Sequence, residues 1–558
     1  MRTPPGFRGV FRVDEPARAA YSEAAGVARL MPAAVAVPLD ADDVVTLVRW
    51  AAESRQTLVP RGAGSSMAGG ALGEGVIVDL KRLDEAPLFD PATHLVRVGP
   101  AVTRAELEEL VSRAGLTLPV DPSSSAFATL GGMCATNAAG ARSVKYGAMR
   151  AWVHGLDCVF ADGTRAWVRR TSGDAVDGAS GTGDDSRIHD GSSPALTRFL
   201  REVAPAVREA DPAALRHEGV RKESSGYALA DWLASGDLVD VLIGSEGTLA
   251  FIVGVELRLA PLPAAVTSML AGFDDLGRAA AAAVKLAADG ASAVELLDRT
   301  FLEIAAAGGD ALPLPAGLEA VLLVEVEGES EPGARLAAET MAGHCRTAGA
   351  VHIEVAADEE SAERLWTLRH AASPILNRLA PRLQNMQLVE DGCVPRERFA
   401  EYVLGVRDAL ATARFRGVIF GHAGDGHAHV NVLVDTSEVD WRARAERLLL
   451  EVSALAARLG GTLAGEHGDG RLRAPLLPAV WPAATMELFA ATKRAFDPNG
   501  VFNPGVKVAL PDQRALAQIK YDPALPPLAQ AARSALDLVL REKAWDRHRL
   551  DLLDAPFD

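Results

Sequence analysis

The sequence predicts an α+β protein built from two or more packed domains, and three observations carry that expectation. The chain has 558 residues, more than one ordinary hydrophobic core organises. Apolar runs of helical period alternate along it with short strand-like runs. Gly-rich connections repeatedly join those runs. A hydrophobic content of 49% beside 23% charged residues suits a globular protein and argues against wholesale disorder.

Residues 35–60 read as strand, helix and strand: VAVP, then DADDVVTLVRWAAES, then TLVP. Asp40 suits the N-cap, and Val44, Leu47 and Val48 mark one helical face. A Gly/Ser loop, RGAGSSMAGGALGEG, leads to the apolar run VIVDL, and short strands with Gly-rich turns continue to about residue 170. Residues 171–193, rich in Gly, Ser and Asp, read as a mobile surface insertion. The Pro-flanked end of DVLIGSEGTLAFIVGVELRLAPLP closes a first domain at 1–264. Residues 265–484 alternate strands such as AVLLVEVEG with helices such as ESAERLWTLRHAASPIL, and the Ala-rich segment 279–288 reads as a helix. A turn-rich segment at 485–510 follows, and the tail 511–558 is expected to be mostly helical, AQAARSALDLVLREKAW being its clearest stretch.

Bulk properties exclude several functions. The net charge of −17 repels phosphate backbones, so nucleic acid is not an expected partner. An anionic substrate is still allowed, because a local arginine or a metal reverses the field inside a cleft. Cys134, Cys158, Cys345 and Cys393 form no C-x-x-C unit, which argues against a disulfide framework, a thiolate zinc site or an iron–sulfur motif. The N-terminus has no signal-peptide core, and no uncharged apolar stretch reaches the roughly 18 residues of a membrane span. The expectation is a cytoplasmic protein, associated with a membrane at most peripherally.

Three Gly-rich runs bear on ligand binding. PRGAGSSMAGG, residues 60–70, joins two strands and so fails the context of a dinucleotide fingerprint; it also lacks the Gly-Lys-Ser/Thr ending of a P-loop. Its backbone N–H groups are free to point at an anion. Residues 119–147, PVDPSSSAFATLGGMCATNAAGARSVKYG, forgo side-chain volume for so long that they are expected to pack against a large planar ligand. GSEGTLAFI at 244–252 is again Gly-rich beside an apolar strand.

In this order the three runs resemble the FAD-binding domain of the vanillyl-alcohol oxidase superfamily. The closer likeness is to its D-lactate dehydrogenase, glycolate oxidase and D-2-hydroxyglutarate dehydrogenase branch, over roughly residues 20–507. The resemblance implies a two-part FAD-binding domain with an α+β substrate (cap) domain, and a return of residues 485–510 to the flavin. It implies that Arg61, Gly62, Ala63, Gly64, Ser65, Ser66, Gly69 and Gly70 hold the FAD pyrophosphate by backbone amides. It places Pro119, Asp121, Ser124, Thr129, Gly131, Gly132, Asn137, Gly140 and Gly147 along the flavin. Glu246, Gly247, Thr248 and Ile252 fall near the adenosine portion, and Asn503 of FNPG returns to the flavin. The middle run has no histidine, and Cys134 reads as a buried thiol, so FAD is expected to be non-covalent.

Four of the twelve histidines fall in GHAGDGHAHVN (421–431) and GEHGDGR (465–471). His427 and His429 share a face if they lie on a strand. A Gly-Asp-Gly turn after His422 folds it back toward His429. With Glu466 these make two or three imidazoles and a carboxylate, a donor set for zinc, manganese or iron. The resemblance makes His422, His429 and Glu466 ligands of a divalent metal, zinc or manganese, and His467 the catalytic base. His427 stands where the family pattern has Asn, as a fourth ligand, a substrate contact or a support. Arg369, four residues before Ser373, sits where the family places a carboxylate clamp, and EDGCVP (390–395) resembles a family segment leading into a strand.

The chemistry so implied is oxidation of a D-2-hydroxy acid (D-lactate, glycolate or D-2-hydroxyglutarate) to the 2-oxo acid. The electron acceptor is expected to be external: an iron–sulfur protein, a quinone or a cytochrome. Alternatives are an oxidase using oxygen and a flavin-binding electron-transfer subunit. Homo-oligomerisation is left open by the sequence.

Overall fold

A computed structural model describes residues 1–171, 193–307, 312–370, 382–542 and 548–554. The Gly/Ser/Asp-rich segment at 172–192 and Ser373 lie outside the described residues.

The first sheet has four strands. Ala34–Val37, Val76–Asp79 and Leu58–Arg61 run parallel in that order, and Val10–Arg12 adds an antiparallel edge. The helix Ala41–Ser54 makes the crossover between Ala34–Val37 and Leu58–Arg61. Asp40 caps it by accepting from the Asp43 N–H at 3.0 Å, and Val44, Leu47 and Val48 are buried, as the periodicity predicts.

A second sheet of five antiparallel strands runs Leu88–Asp90, Leu95–Val98, Phe251–Arg258, Val153–Val159, Arg165–Arg169. The helix Leu130–Thr136 packs in its core with Leu130, Met133 and Cys134, and the late helix Ala483–Phe496 returns to the same core with Phe489 and Phe496.

The third sheet is antiparallel and larger. Its main path is His352–Val355, Ala265–Phe273, Ala320–Gly328, Ala293–Asp298, Arg416–Gly421, His427–Asp435 and Leu383–Met386; Gly392–Cys393 also pairs with His427–Asp435. Alternation divides its side chains between two cores. Met269, Ala271, Leu322 and Val324 face the helices Leu276–Ala288, Glu331–Thr347, Phe399–Thr412 and Trp441–Arg458. Leu270, Val321 and Leu323 face Arg299–Ala307 and Glu359–His370.

After Ala483–Phe496 the chain docks on the first sheet, where Leu58 donates to the Val501 carbonyl at 2.8 Å and accepts from the Asn503 N–H at 2.8 Å. The tail differs from the expectation of a mostly helical segment. Among its described residues only Gln530–Arg541 and Arg549–Asp554 are helices. Residues 511–529 are held instead by tertiary pairing, Arg29 N–H to the Gln518 carbonyl (2.9 Å) and Lys520 N–H to the Val27 carbonyl (2.8 Å). Among the described residues no helix is long and apolar enough to cross a membrane.

Candidate active site

A continuous cleft of about 2140 Å³ runs between the Gly-rich segments and the large sheet. The first loop lines it with Arg61, Gly62, Ala63, Gly64, Ser65, Ser66 and Gly70; the middle run with Asp121, Ser124, Thr129, Gly131, Gly132 and Gly140; the third with Glu246, Gly247 and Ile252. From the large-sheet side come Arg369, His422, His429, Glu466 and His467.

The small residues act by letting neighbouring chain pack closely against these backbones. A Cβ on Gly62 would lie 2.3 Å from the Thr129 hydroxyl, one on Gly131 2.6 Å from Pro100, and one on Gly140 2.3 Å from the Asp121 carbonyl. A side chain at these positions would not fit without displacing its neighbours.

Six residues expected at the cofactor stand one layer back, because motif position does not set side-chain direction. Pro119 is buried, Gly69 sits beside Ala28 and Arg471, and Gly147 ends the short helix Ser143–Tyr146 at φ 71°. Asn137 ends Leu130–Thr136 in the left-handed conformation and accepts from the Arg150 N–H at 2.9 Å. Thr248 pairs its hydroxyl with Tyr227 and the Ser245 carbonyl. Asn503 ties the first loop to the third, donating to the Gly70 and Glu246 carbonyls at 2.8 and 2.9 Å.

The histidine cluster forms at the opposite side of the cleft. His427 and His429 open the strand His427–Asp435, and the single turn Ala423–Asp425 brings His422 back so that its ring lies 5.2 Å from that of His429. Glu466 Oε1 stands 3.1 Å from His422 Nε2 and 3.3 Å from His429 Nε2. The His467 ring stacks on His429 at 5.0 Å. Its N–H donates to Asp391 (2.8 Å), its Nδ1 meets Glu390 at 2.6 Å, and its Nε2 lies 3.6 Å from Glu466. His467 is the most exposed of the four, 29% by side chain.

His427 is fully buried. Its Nε2 meets Asp391 at 2.9 Å and its Nδ1 stands 3.5 Å from the Lys222 ammonium. Burial and Lys222 push its pKa down to about 3, so it is neutral. For His429 burial opposes charge, but Glu390 and Glu466 outweigh it and raise the pKa to about 10. A cation bound there must displace that proton. Burial likewise opposes charge on His467, and Glu390 and Asp391 raise its pKa in spite of it. Glu466 is buried, yet Lys222 and His422 hold its pKa well below the usual carboxylate range.

The supporting shell was not visible as a motif. Lys222 donates to Glu466 at 2.9 Å, and Arg473 pairs with Glu390. Glu295, fully buried in Ala293–Asp298, accepts from Arg369 Nε at 2.7 Å and also contacts His422 Nδ1. Arg369 thus lines the cleft while one edge of its guanidinium is held by the carboxylate that orients His422.

Two comparisons of the sequence bear on this arrangement. Residues 32–169 match the family described as FAD binding domain, and residues 262–506 match that of FAD linked oxidases, C-terminal domain. The chain therefore carries an FAD binding domain followed by the C-terminal domain of FAD linked oxidases. The chain is 29% identical over 479 residues to glycolate oxidase subunit GlcD of Bacillus subtilis, covering 85% of this chain and 88% of that one. It is 28% identical to a probable mitochondrial D-lactate dehydrogenase of Danio rerio, covering 85% and 84%. It is 28% identical to D-2-hydroxyglutarate dehydrogenase of Escherichia coli over 93% of this chain and 52% of that longer one. Among solved structures it shares the fold of p-cresol methylhydroxylase, with TM-score 0.64 at 14% identity, 89% of this chain and 94% of the other covered.

The matched domains indicate FAD, and the cleft fits it: a large cavity walled by Gly-rich segments, where the N–H groups of residues 62–67 donate to no acceptor among the described residues. The donor set at the other side fits a divalent cation. Ligand atoms of His422, His427, His429 and Glu466 all lie within 4.8 Å of one another. Because His427 spends Nε2 on Asp391 and faces an ammonium with Nδ1, it is a support in this geometry, leaving His422, His429 and Glu466 to converge on the cleft.

Proposed function

We propose that this protein is an FAD- and divalent-metal-dependent dehydrogenase of D-2-hydroxy acids, with D-lactate, glycolate and D-2-hydroxyglutarate as the substrate class. The observation that carries the reading is the placement of His467. Its imidazole, backed by Glu390, opens on the same cleft as the convergent His422, His429 and Glu466.

The residues take the following roles. With Nδ1 donating to Glu390, His467 presents the lone pair of Nε2 to the cleft and accepts the proton of the substrate hydroxyl. Glu390, itself fixed by Arg473, stabilises the imidazolium that results. Arg369 attracts the substrate carboxylate, with Glu295 fixing the orientation of its planar group. Zinc or manganese on His422, His429 and Glu466 would lower the pKa of the substrate hydroxyl. FAD along the glycine wall would take the hydride from C2.

We infer that FAD is held non-covalently. Cys134 is fully buried in an apolar core, burial raises its thiol pKa, and no cysteine is among the residues lining the cleft. Electrons pass in this reading to an external acceptor, an iron–sulfur protein, quinone or cytochrome. Supporting this, no pair of the four buried cysteines makes a cluster motif within the chain.

An anaerobic screen of D- and L-2-hydroxy acids tests the reading. Flavin absorbance should bleach with at least one D-acid or glycolate and hardly with L-enantiomers, and turnover in air should release little peroxide. Stoichiometric peroxide would make the protein an oxidase. Failure of every 2-hydroxy acid to bleach the metal-loaded protein would remove the substrate class.

A further inference from the structure

The C-terminal helix Arg549–Asp554 lies beyond residue 506, where the match to the family's C-terminal domain ends. Its first residue reaches the Gly-rich loop. Arg549 is 3% exposed, and its guanidinium donates to the Ala20 carbonyl at 2.9 Å and to the Ala63 carbonyl at 3.4 Å. Arg61, 1% exposed, lies in the same place: it donates to the Tyr21 and Glu23 carbonyls at 3.1 and 2.8 Å. Both guanidinium carbons sit 5.4 Å from the Tyr21 ring centre, and the Tyr21 hydroxyl donates to Asp79, whose charge attracts both arginines.

Two features of this buried pair point at an anion above it. A Cβ on Gly64, where φ is 76°, would stand 2.5 Å from the Arg61 guanidinium, so that group lies directly against the loop backbone. Arg61 also lines the cleft, and its buried Nε has no acceptor among the described residues. In a trans peptide the N–H of Gly64 points opposite to the Ala63 carbonyl. By holding that carbonyl inward, Arg549 turns the Gly64 N–H outward. The N–H groups of residues 62–67 donate to no acceptor among the described residues.

We propose that Arg549 is a positioning residue of the cofactor site, which with Arg61 forms a buried cationic floor that orients the 62–67 amides toward the FAD diphosphate. The C-terminal tail is then part of the cofactor site. The inference rests on the reading that residues 61–70 hold the diphosphate. A charged hydrogen bond and a nearby unit charge both act on the phosphates and neither acts on the isoalloxazine ring.

The experiment measures binding of FAD, ADP and riboflavin to full-length protein freed of flavin, by calorimetry and flavin fluorescence. Arg549→Gln should weaken FAD and ADP by on the order of tenfold or more, leave riboflavin within about twofold, and leave the apoprotein melting temperature close to the parent's. Arg549→Lys, which keeps the charge and loses the fork, should fall between. Unchanged ADP affinity in Arg549→Gln, or an equal loss for ADP and riboflavin, overturns the proposal. If Arg549→Gln does not fold, Arg549→Lys decides by the same ADP-to-riboflavin comparison. Gly64→Val controls the underlying reading: if it leaves ADP binding intact, residues 61–70 do not hold the diphosphate, and that failure is separate from one confined to Arg549.

Discussion

His467→Ala is expected to abolish reduction of the flavin by a 2-hydroxy acid while leaving FAD bound. The imidazole lines the cleft with Nδ1 committed to Glu390 at 2.6 Å and Nε2 3.6 Å from Glu466, and in the proposed reading Nε2 takes the proton of the substrate hydroxyl. Nothing within the cluster replaces it. His429 is held between the Glu390 carbonyl and Glu466, and His427 is buried against Asp391. Loss of general-base assistance costs on the order of 10²–10⁴ in rate. FAD retention should be unchanged, because in the proposed reading the cofactor lies along the parts of residues 61–70, 119–147 and 244–252 that line the other side of the cleft. Anaerobic stopped-flow gives the reduction rate, and the ratio of flavin to protein absorbance gives occupancy. A reduction rate within a few-fold of the parent would take the base role from His467.

Glu466→Gln should be the most damaging single change at the cluster. The carboxylate is the one group in contact with His422, His429 and Lys222 together. Removing its charge takes an anionic donor from the metal set. Loss of a partner one layer outside a metal site already costs about 10–100-fold in affinity or activity, so loss of a ligand should exceed that. It also leaves the Lys222 ammonium, 2% exposed by side chain, facing a neutral amide. Breaking a buried pair in this way costs on the order of 3–5 kcal/mol. The expected result is a protein that melts lower, keeps its yellow colour and holds little metal after dialysis. Metal content equal to the parent's would exclude Glu466 as a ligand.

Much of this architecture is legible in the sequence where the determinants are local. The Ala41–Ser54 helix follows from the Asp40 cap and the apolar face of Val44, Leu47 and Val48, and the structure shows both. The histidine cluster is legible for the same reason: a two-residue spacing on a strand and a Gly-Asp-Gly turn act within ten residues. The supporting shell is illegible because it is assembled over long separations. Glu295 meets a histidine 127 positions away, and Lys222 a glutamate 244 positions away. The tail misleads for a related reason. Residues 511–529 have no strong local preference, and their course is set by backbone bonds to Val27 and Arg29 near the other end of the chain. In the Gly-rich runs the composition points to segments that line the cleft, but it does not separate residues that line it, such as Gly62 and Gly140, from those that brace it, such as Asn137 and Asn503.

The measurement that bears most directly on a metal-assisted oxidation is flavin reduction in metal-depleted protein. Purified enzyme is treated with a chelator, the remaining metal is quantified, and an active D-2-hydroxy acid is added anaerobically. The account predicts that the protein stays yellow with FAD bound, that the acid reduces it slowly or not at all, and that zinc or manganese restores the rate. Full-rate bleaching of metal-free, FAD-bound protein would contradict it.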